Sequence, residues 1–432
     1  MTMALSILHY FFSGAFAVFL YLSIAVSFIL FFISAVVICW RKKSSEMFLD
    51  PGKAPTVTVQ IPTRNEIIAL RCARMCLESD YPLERLQVLI GDDSDQPEIS
   101  RQIDAFATRH PRVEVTRRAD RSGFKPGNLN HMLKQSRGEI VIIFDSDFMP
   151  APDFISRIVS PFVHDPEIAS VQARWDFTNS GENLATVMGS TMGYSFHQVF
   201  LPFMNIFGCS FICGSAEAVK KSVLLELGGW RPGILTEDIE FSLRMIRNNQ
   251  KMIYLPGLSC LNEVPQNAAD LYRQQMRWAH GVISAYVIHF RGILTSRRIG
   301  MKRKLFSMFS GLGYVFPVLI AGLIITSILS IITTPPTPVA AQLSLSEAAR
   351  NVLLTSGLLF MSVVALFRAR QIKLFFRMII SSFSIGLVAI FFVLKGILSA
   401  LLKRPMAWHL IRKSTDYRED YRPSPAAASP RT

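Results

Sequence analysis

The residues Leu5 to Trp40 include no Asp, Glu, Lys or Arg, and this uncharged run constrains the chain more than any other feature. A membrane-spanning helix needs about 20 apolar residues. The run is therefore too long for one upright span and too short for two. It lacks a basic leading region and a small-residue cleavage site, so it reads as an uncleaved anchor rather than a signal peptide. Arg41-Lys42-Lys43 follow it and place the next segment on the cytoplasmic side.

Apolar character returns after Gly281. Ala285 to Leu294, with His289 and Arg291 embedded, is expected to lie in the membrane interface. Leu305 to Thr333 reads as a span, and the Pro-rich loop Thr334 to Pro338 as an outside turn without basic residues. Asn351 to Phe367 reads as a second span, returned to the inside by Arg368, Arg370, Lys373 and Arg377. Met378 to Leu394 is a third apolar stretch with basic residues on both flanks. It is either re-entrant or bends back through Gly396 to Leu402. The Pro-, Ala- and Ser-rich tail from Ser414 is expected to be disordered. The expected division is 1–43 anchor, 53–281 catalytic domain, 282–304 interface helix, 305–413 membrane and interface helices, and 414–432 tail.

The chain is 50% hydrophobic and 18% charged, too apolar for an ordinary soluble domain. Its net charge of +14 fits Lys and Arg flanking membrane segments. No basic helix or aromatic-interleaved patch supports nucleic-acid binding. Six cysteines show no zinc-like pairing of CxxC motifs. Cys72 and Cys76, like Cys209 and Cys213, stand at helical spacing and are expected to pack as small apolar residues. A reduced, cytosolic catalytic domain follows.

From Lys53 the pattern is α/β. Strands are expected at Thr56 to Ile61, Leu86 to Ile90, Val113 to Val115 and Glu139 to Phe144, separated by helical stretches. That alternation predicts a mainly parallel, doubly wound sheet. Asp92-Asp93-Ser94 and Asp145-Ser146-Asp147 follow two of these strands, at the sheet edge where such folds bind ligands.

Each motif has an ordinary structural explanation beside a chemical one. Asp145 and Asp147 can hold Mg²⁺ or Mn²⁺ that shares diphosphate oxygens, or belong to a solvated loop. Asp92 and Asp93 can also cap the next helix. Arg121 to Asn130, with two glycines and Lys125, precedes a helix expected near His131 and suits an anion, but it is not a Walker A motif. Glu237-Asp238 is either a favoured acidic helix start or a general base. Gln274 to Trp278 can be an interfacial anchor. Jointly, in this order, they are not coincidental.

The series D, DxD, TED and QxxRW resembles that of family-two inverting glycosyltransferases of the cellulose, hyaluronan and glucomannan synthase type. The resemblance covers the cytosolic domain and, more loosely, the flanking helices, and it implies a GT-A-like fold. Position by position it implies that Thr63, Glu66, Asp92 and Asp93 hold the nucleoside, and that Lys125 contacts the diphosphate. Asp145 and Asp147 match the metal-binding pair. Gly214 and Ser215 match a segment beside the acceptor. Asp238 matches the catalytic base, with Glu237 beside it among the substrate-binding positions. Gln274, Arg277 and Trp278 match the motif lining the acceptor end. Lys395 to Lys413, with Trp408, resembles an amphipathic interface segment, although Ile411-Arg412-Lys413 stands where that segment closes in Thr-x-Lys. No segment resembling the cyclic-dinucleotide-sensing domain of some members follows.

The resemblance implies a processive, metal-dependent β-glycosyltransferase in a bacterial inner membrane. Its donor would be a nucleotide sugar, UDP-glucose ahead of GDP-mannose, and its partners a glycan or lipid acceptor and membrane lipid. The alternative is a non-processive enzyme adding one sugar to a membrane lipid. A scaffold or transporter subunit would need four coincidences, and its uncharged spans argue against translocation.

Overall fold

The structure, a computed structural model, describes residues 2–39, 49–333 and 338–406. The cytoplasmic marker Arg41-Lys42-Lys43, most of the loop after Thr333, Trp408, Ile411-Arg412-Lys413 and the tail lie outside the described residues.

Seven strands form one sheet: β1 (Val57–Thr63), β2 (Leu86–Asp92), β3 (Val113–Thr116), β4 (Ile140–Ile143), β5 (Ile168–Phe177), β6 (Glu217–Lys220) and β7 (Lys251–Asn262). Their order is β3-β2-β1-β4-β6-β5-β7. The first four, which the sequence pattern predicts, pair in parallel. β6 runs antiparallel between β4 and β5, and β7 pairs with β5 in parallel. Every residue of β1, β2 and β4 is buried, as expected of strands covered on both faces. The helix Ala69–Leu77 packs Ala69, Cys72, Ala73 and Cys76 into one core layer with Val57, Val59 and Ile61. Leu129, Met132 and Leu133 join the core on the other side.

Cys72 and Cys76 lie in a helix as their spacing predicts, but Cys209 and Cys213 do not. The helix Leu201–Ile206 ends before them, and both are buried in an irregular segment.

The N-terminal run forms one helix, Thr2–Cys39, of 38 residues. At 1.5 Å per residue it is roughly 57 Å long, well beyond the hydrocarbon thickness of about 30 Å. The expected span Leu305 to Thr333 is interrupted: the helix Met301–Gly311 ends in a tight turn, Leu312–Tyr314, before the span Val315–Thr333. That span runs antiparallel to the N-terminal helix, with Ser13 and Ser330 hydroxyls 3.0 Å apart and Gly322 against Phe19. The second expected span is a bent pair, Ser346–Leu354 and Gly357–Arg368, at 51°. At the bend, Gly357 packs against the Ser27 backbone.

The third stretch lies within one apolar helical run, Ile372–Leu401. It does not turn back at Gly396, which lies inside the helix Leu387–Leu401. Near its start Arg377 donates to the Gly181 carbonyl and Ser381 to the Leu184 carbonyl, the latter at 2.7 Å. Just beyond its end His280 Nε2 meets the Arg404 carbonyl at 3.1 Å. Arg377 near the start of this run and Arg404 beyond its end are therefore both tied to residues of the sheet domain and of the helix that follows it. The interface helix expected from residue 282 is the second half of a longer helix, Ala268–Thr295, which also carries the QxxRW motif. Its buried His289 faces the catalytic domain through a 2.8 Å contact with Glu240.

Candidate active site

A cavity of about 690 Å³ runs from the C-terminal edge of the sheet to the membrane helices. All the sequence-predicted site residues line it except Asp92 and Ser215.

Thr63 closes β1 and donates to the Glu66 carbonyl at 3.2 Å. Glu66 accepts the Ser146 hydroxyl at 2.5 Å, tying the β1 loop to the DxD segment. Asp92 and Asp93 divide their work. Asp92 accepts from Ser94 N–H at 2.9 Å, Ser100 Oγ at 2.7 Å and Arg117 Nε at 2.8 Å. Burial raises its proton affinity, but these hydrogen bonds together win and hold it below the usual carboxylate range. It is thereby committed to the fold. Asp93 lines the cavity, gripped by Nε and Nη2 of Arg118 at 2.9 and 2.6 Å.

Beside these residues lies a cluster of charges around Lys125. The expected helix near His131 begins earlier, at Phe124, after Gly123 in the left-handed region (φ +75°). That places Lys125 in the first turn instead of in a preceding loop. Its Nζ lies 2.8 Å from Asp145 Oδ1, 3.1 Å from Glu237 Oε1 and 2.7 Å from the Gly214 carbonyl. Burial works against its charge, but the carboxylates outweigh it and push its pKa above the normal range.

Glu237 and Asp238 begin the helix Glu237–Arg247. Burial, then the Glu237 charge, raises the Asp238 pKa to about 7, with Lys125 opposing them. A carboxyl poised near neutrality, beside a cavity, suits a general base. Gly214 (φ +84°) lies directly against it: a Cβ there would be 3.5 Å from Asp238 Oδ2 and would also be strained. Ser215 sits behind the cavity wall, its hydroxyl accepting the Asp145 backbone N–H at 2.9 Å. Arg277 donates to the Leu235 carbonyl at 3.1 Å, just before the TED motif.

The residues present fit a divalent metal of one kind. Asp145 and Asp147 line the cavity together, yet among the described residues no group of three or more His, Cys, Asp or Glu is placed to hold a metal. Two carboxylates suit Mg²⁺ or Mn²⁺ only if waters and substrate phosphates complete the shell. Lys125 contributes positive charge at Asp145 in the same place.

Sequence reasoning missed four cavity or near-cavity groups. Trp175 and His197 stack at 4.9 Å along the wall, and Tyr314 enters it from the turn that interrupts the expected span. Glu217 is wholly buried at the start of β6. None belongs to a motif, although Gly311, Gly313 and Pro317 around Leu312 are the signals that could have revealed the break delivering Tyr314.

Residues 54–281, more than half of the chain, match the family model "Glycosyltransferase like family 2". The chain is similar to glucomannan 4-beta-mannosyltransferase 2 of Arabidopsis thaliana, 30% identical over 294 residues, covering 63% of this chain and 54% of that protein. It is similar to the probable glucomannan 4-beta-mannosyltransferase 7 of Oryza sativa subsp. japonica, 30% identical over 269 residues, 60% of this chain and 46% of that one. The chain thus spans about half the length of the curated relatives it matches. Among solved structures it resembles the mannosyltransferase PcManGT of Pyrobaculum calidifontis in complex with GDP-Man and Mn²⁺. That match has a TM-score of 0.60 and 18% identity, over 83% of this chain and 99% of that one. The mainly parallel seven-stranded sheet with flanking apolar helices is GT-A-like. With its D, DxD, TED and QxxRW elements gathered at one sheet edge, the chain belongs to glycosyltransferase family 2.

Proposed function

We propose that this protein transfers a hexose, with inversion, from a nucleoside-diphosphate sugar to a β-linked glycan, and keeps the lengthened chain for further rounds. The observation that carries this is the place of Asp238: it sits where the nucleotide end of the cavity meets the part lined by membrane helices. Thr63, Glu66 and Asp93 hold the nucleoside, and Lys125 and Arg277 hold the diphosphate. Asp238 takes the proton of the acceptor hydroxyl, whose oxygen bonds to the anomeric carbon as the bond to the diphosphate breaks. Attack from the face opposite the leaving group turns an α-linked donor into a β-linked product. Asp145 and Asp147 would hold a divalent cation, which when bound supplies Lewis-acid stabilisation of the leaving diphosphate. The catalytic domain faces the cytoplasm, in keeping with the basic flanks on its side.

The sequence alone ranks UDP-glucose first. The names of the relatives, and GDP-Man in the PcManGT complex, support placing GDP-mannose ahead of it. A second reading, single transfer to a membrane lipid, is favoured by one observation: the membrane end of the cavity is walled by apolar side chains such as Leu30, Phe316, Met361 and Ile390. Labelled GDP-mannose, UDP-glucose and UDP-N-acetylglucosamine, supplied to the reconstituted protein with and without Mn²⁺, test both. Long, hydrolase-sensitive chains support polymerisation. A single-sugar product that extracts into organic solvent supports the lipid acceptor, and no transfer from any donor counts against both.

A further inference from the structure

Glu217 is 0% exposed and opens β6, opposite Ile143 of β4 and Gln172 of β5. Its Oε2 accepts the Gly214 backbone N–H at 2.6 Å, while its Oε1 has no hydrogen-bond partner. The loop between is conformationally demanding. Gly214 has φ +84° and Ala216 φ +49°, so a residue with a Cβ is held in the left-handed region. The bond from Gly214 to Glu217 closes that loop. On its other side, Gly214 gives its carbonyl to Lys125 Nζ at 2.7 Å and lies against Asp238. Glu217 is thus one bonded step behind the residue that touches both the base and the phosphate-end lysine.

We infer that Glu217 is a positioning residue for the base: as an uncharged carboxylic acid it ties down the Gly214 N–H and so sets Lys125 and Asp238 in place. The inference rests on Asp238 being the base. The uncharged state follows from the surroundings. Among the described residues no ion pair includes Glu217, and Lys125 opposes the negative charges facing it. Those charges are Asp238 and Glu237 from one helix; Cys213 faces it from the loop, while Gln172 and Ile143 bring no charge. Burial first, and the Asp238 charge second, hold its proton on. An ionised Glu217 would add a fourth carboxylate to Asp145, Glu237 and Asp238, and would compete with them for Lys125. A neutral acid keeps the hydrogen bond without that competition. Asp238 itself is faced by Glu237, Lys125, Cys213, Arg277 and Tyr314, so its proton affinity depends on how this cluster is arranged.

The test compares Glu217→Gln, Glu217→Ala and Asp238→Asn in the full-length protein in lipid nanodiscs. Turnover, donor KM and the pH profile are measured, with melting curves alongside. Glu217→Ala is expected to lower kcat by roughly tenfold or more at similar donor KM, the scale of one lost buried hydrogen bond. Glu217→Gln presents the same acceptor to Gly214 and a neutral group at the other position, and is expected to restore kcat to within about threefold. Its acid limb should stay within a few tenths of a pH unit of the wild type. Wild-type turnover in the Ala variant would overturn the inference. So would a Gln variant as slow as Ala, or one whose acid limb falls by about a unit, since that marks the loss of a negative charge beside the base. If the Ala variant fails to fold, the Gln pH profile still decides. Turnover surviving in Asp238→Asn is a different failure, because it removes the base assignment itself.

Discussion

Gly396 of the membrane-facing helix rests on the backbone of Met276, between Gln275 and Arg277: a Cβ at Gly396 would run into the Met276 carbonyl oxygen and lie 3.2 Å from the Ala279 Cβ. No side chain separates the two helices there, so the QxxRW motif takes its position from a helix outside the family-matched region. Gly396→Ala forces the helices apart and is expected to cost about 1–3 kcal/mol, the usual scale of overpacking. Melting of the detergent-solubilised protein, read alongside transfer rate, checks this. An unshifted melt with normal transfer would mean that the contact is not tight.

Asp238→Asn should lower transfer by about 10² to 10⁴, the usual contribution of a general base, while nucleoside diphosphate still binds. Calorimetric titration with the nucleotide separates the two effects. Equal loss of binding and turnover would make Asp238 structural.

The Asp238 pKa near 7 also predicts two pH effects of known sign. A base must be ionised to act, so kcat/KM should rise as pH increases through about 7 in the free enzyme. Stability runs the other way. The folded pKa lies above the unfolded value of 3.8, so the native state gains a proton between the two and bears the full cost of a buried charge only above about 7. The Asn variant should therefore melt higher than the wild type at pH 8, with the advantage shrinking as pH falls toward 4. Parallel melting curves across pH would expose a wrong sign at once.

Asp92 and Asp93 are adjacent but should fail differently. Asp92→Asn should destabilise the fold by about 1–3 kcal/mol at neutral pH, because a buried carboxylate with three donors is lost. Its depressed folded pKa gives stability present above the unfolded value and lost as pH falls through the folded one. The penalty should thus fade in acid. Asp93→Asn should chiefly weaken nucleotide binding, since Asp93 lines the cavity and Arg118 loses its bidentate partner. Denaturation midpoints set against nucleotide Kd distinguish the pair.

Asp145→Asn should weaken Mn²⁺ binding at least tenfold, because it removes one of the two carboxylates proposed to hold the ion. Manganese paramagnetic resonance titrated with and without nucleoside diphosphate measures this. Binding unchanged by the mutation would move the metal elsewhere.

The parallel half of the sheet was legible because Ile140 to Ile143 and Leu86 to Ile90 are continuous apolar runs, the mark of strands buried on both faces. β6 was not. It has four residues, Glu217 to Lys220, two of them charged, and it forms because β4 and β5 flank it. The motif residues line one cavity, except Asp92 and Ser215, which lie behind its wall. The membrane segments were harder to read, since length and hydropathy do not distinguish a helix that crosses a bilayer from one that lies beneath it. What the sequence does not carry is which parts of the protein each end touches, such as Arg377 with Gly181 and His280 with Arg404.

Val26, Ile29 and Leu30 of the N-terminal helix are part of the cavity wall. The N-terminal helix is therefore also part of the wall of the candidate site. A fragment trimmed to begin at β1 would keep the sheet and its carboxylates but open one side of the site to water. A change in the tilt of that helix in a bilayer of different thickness would move this wall and reshape the cavity.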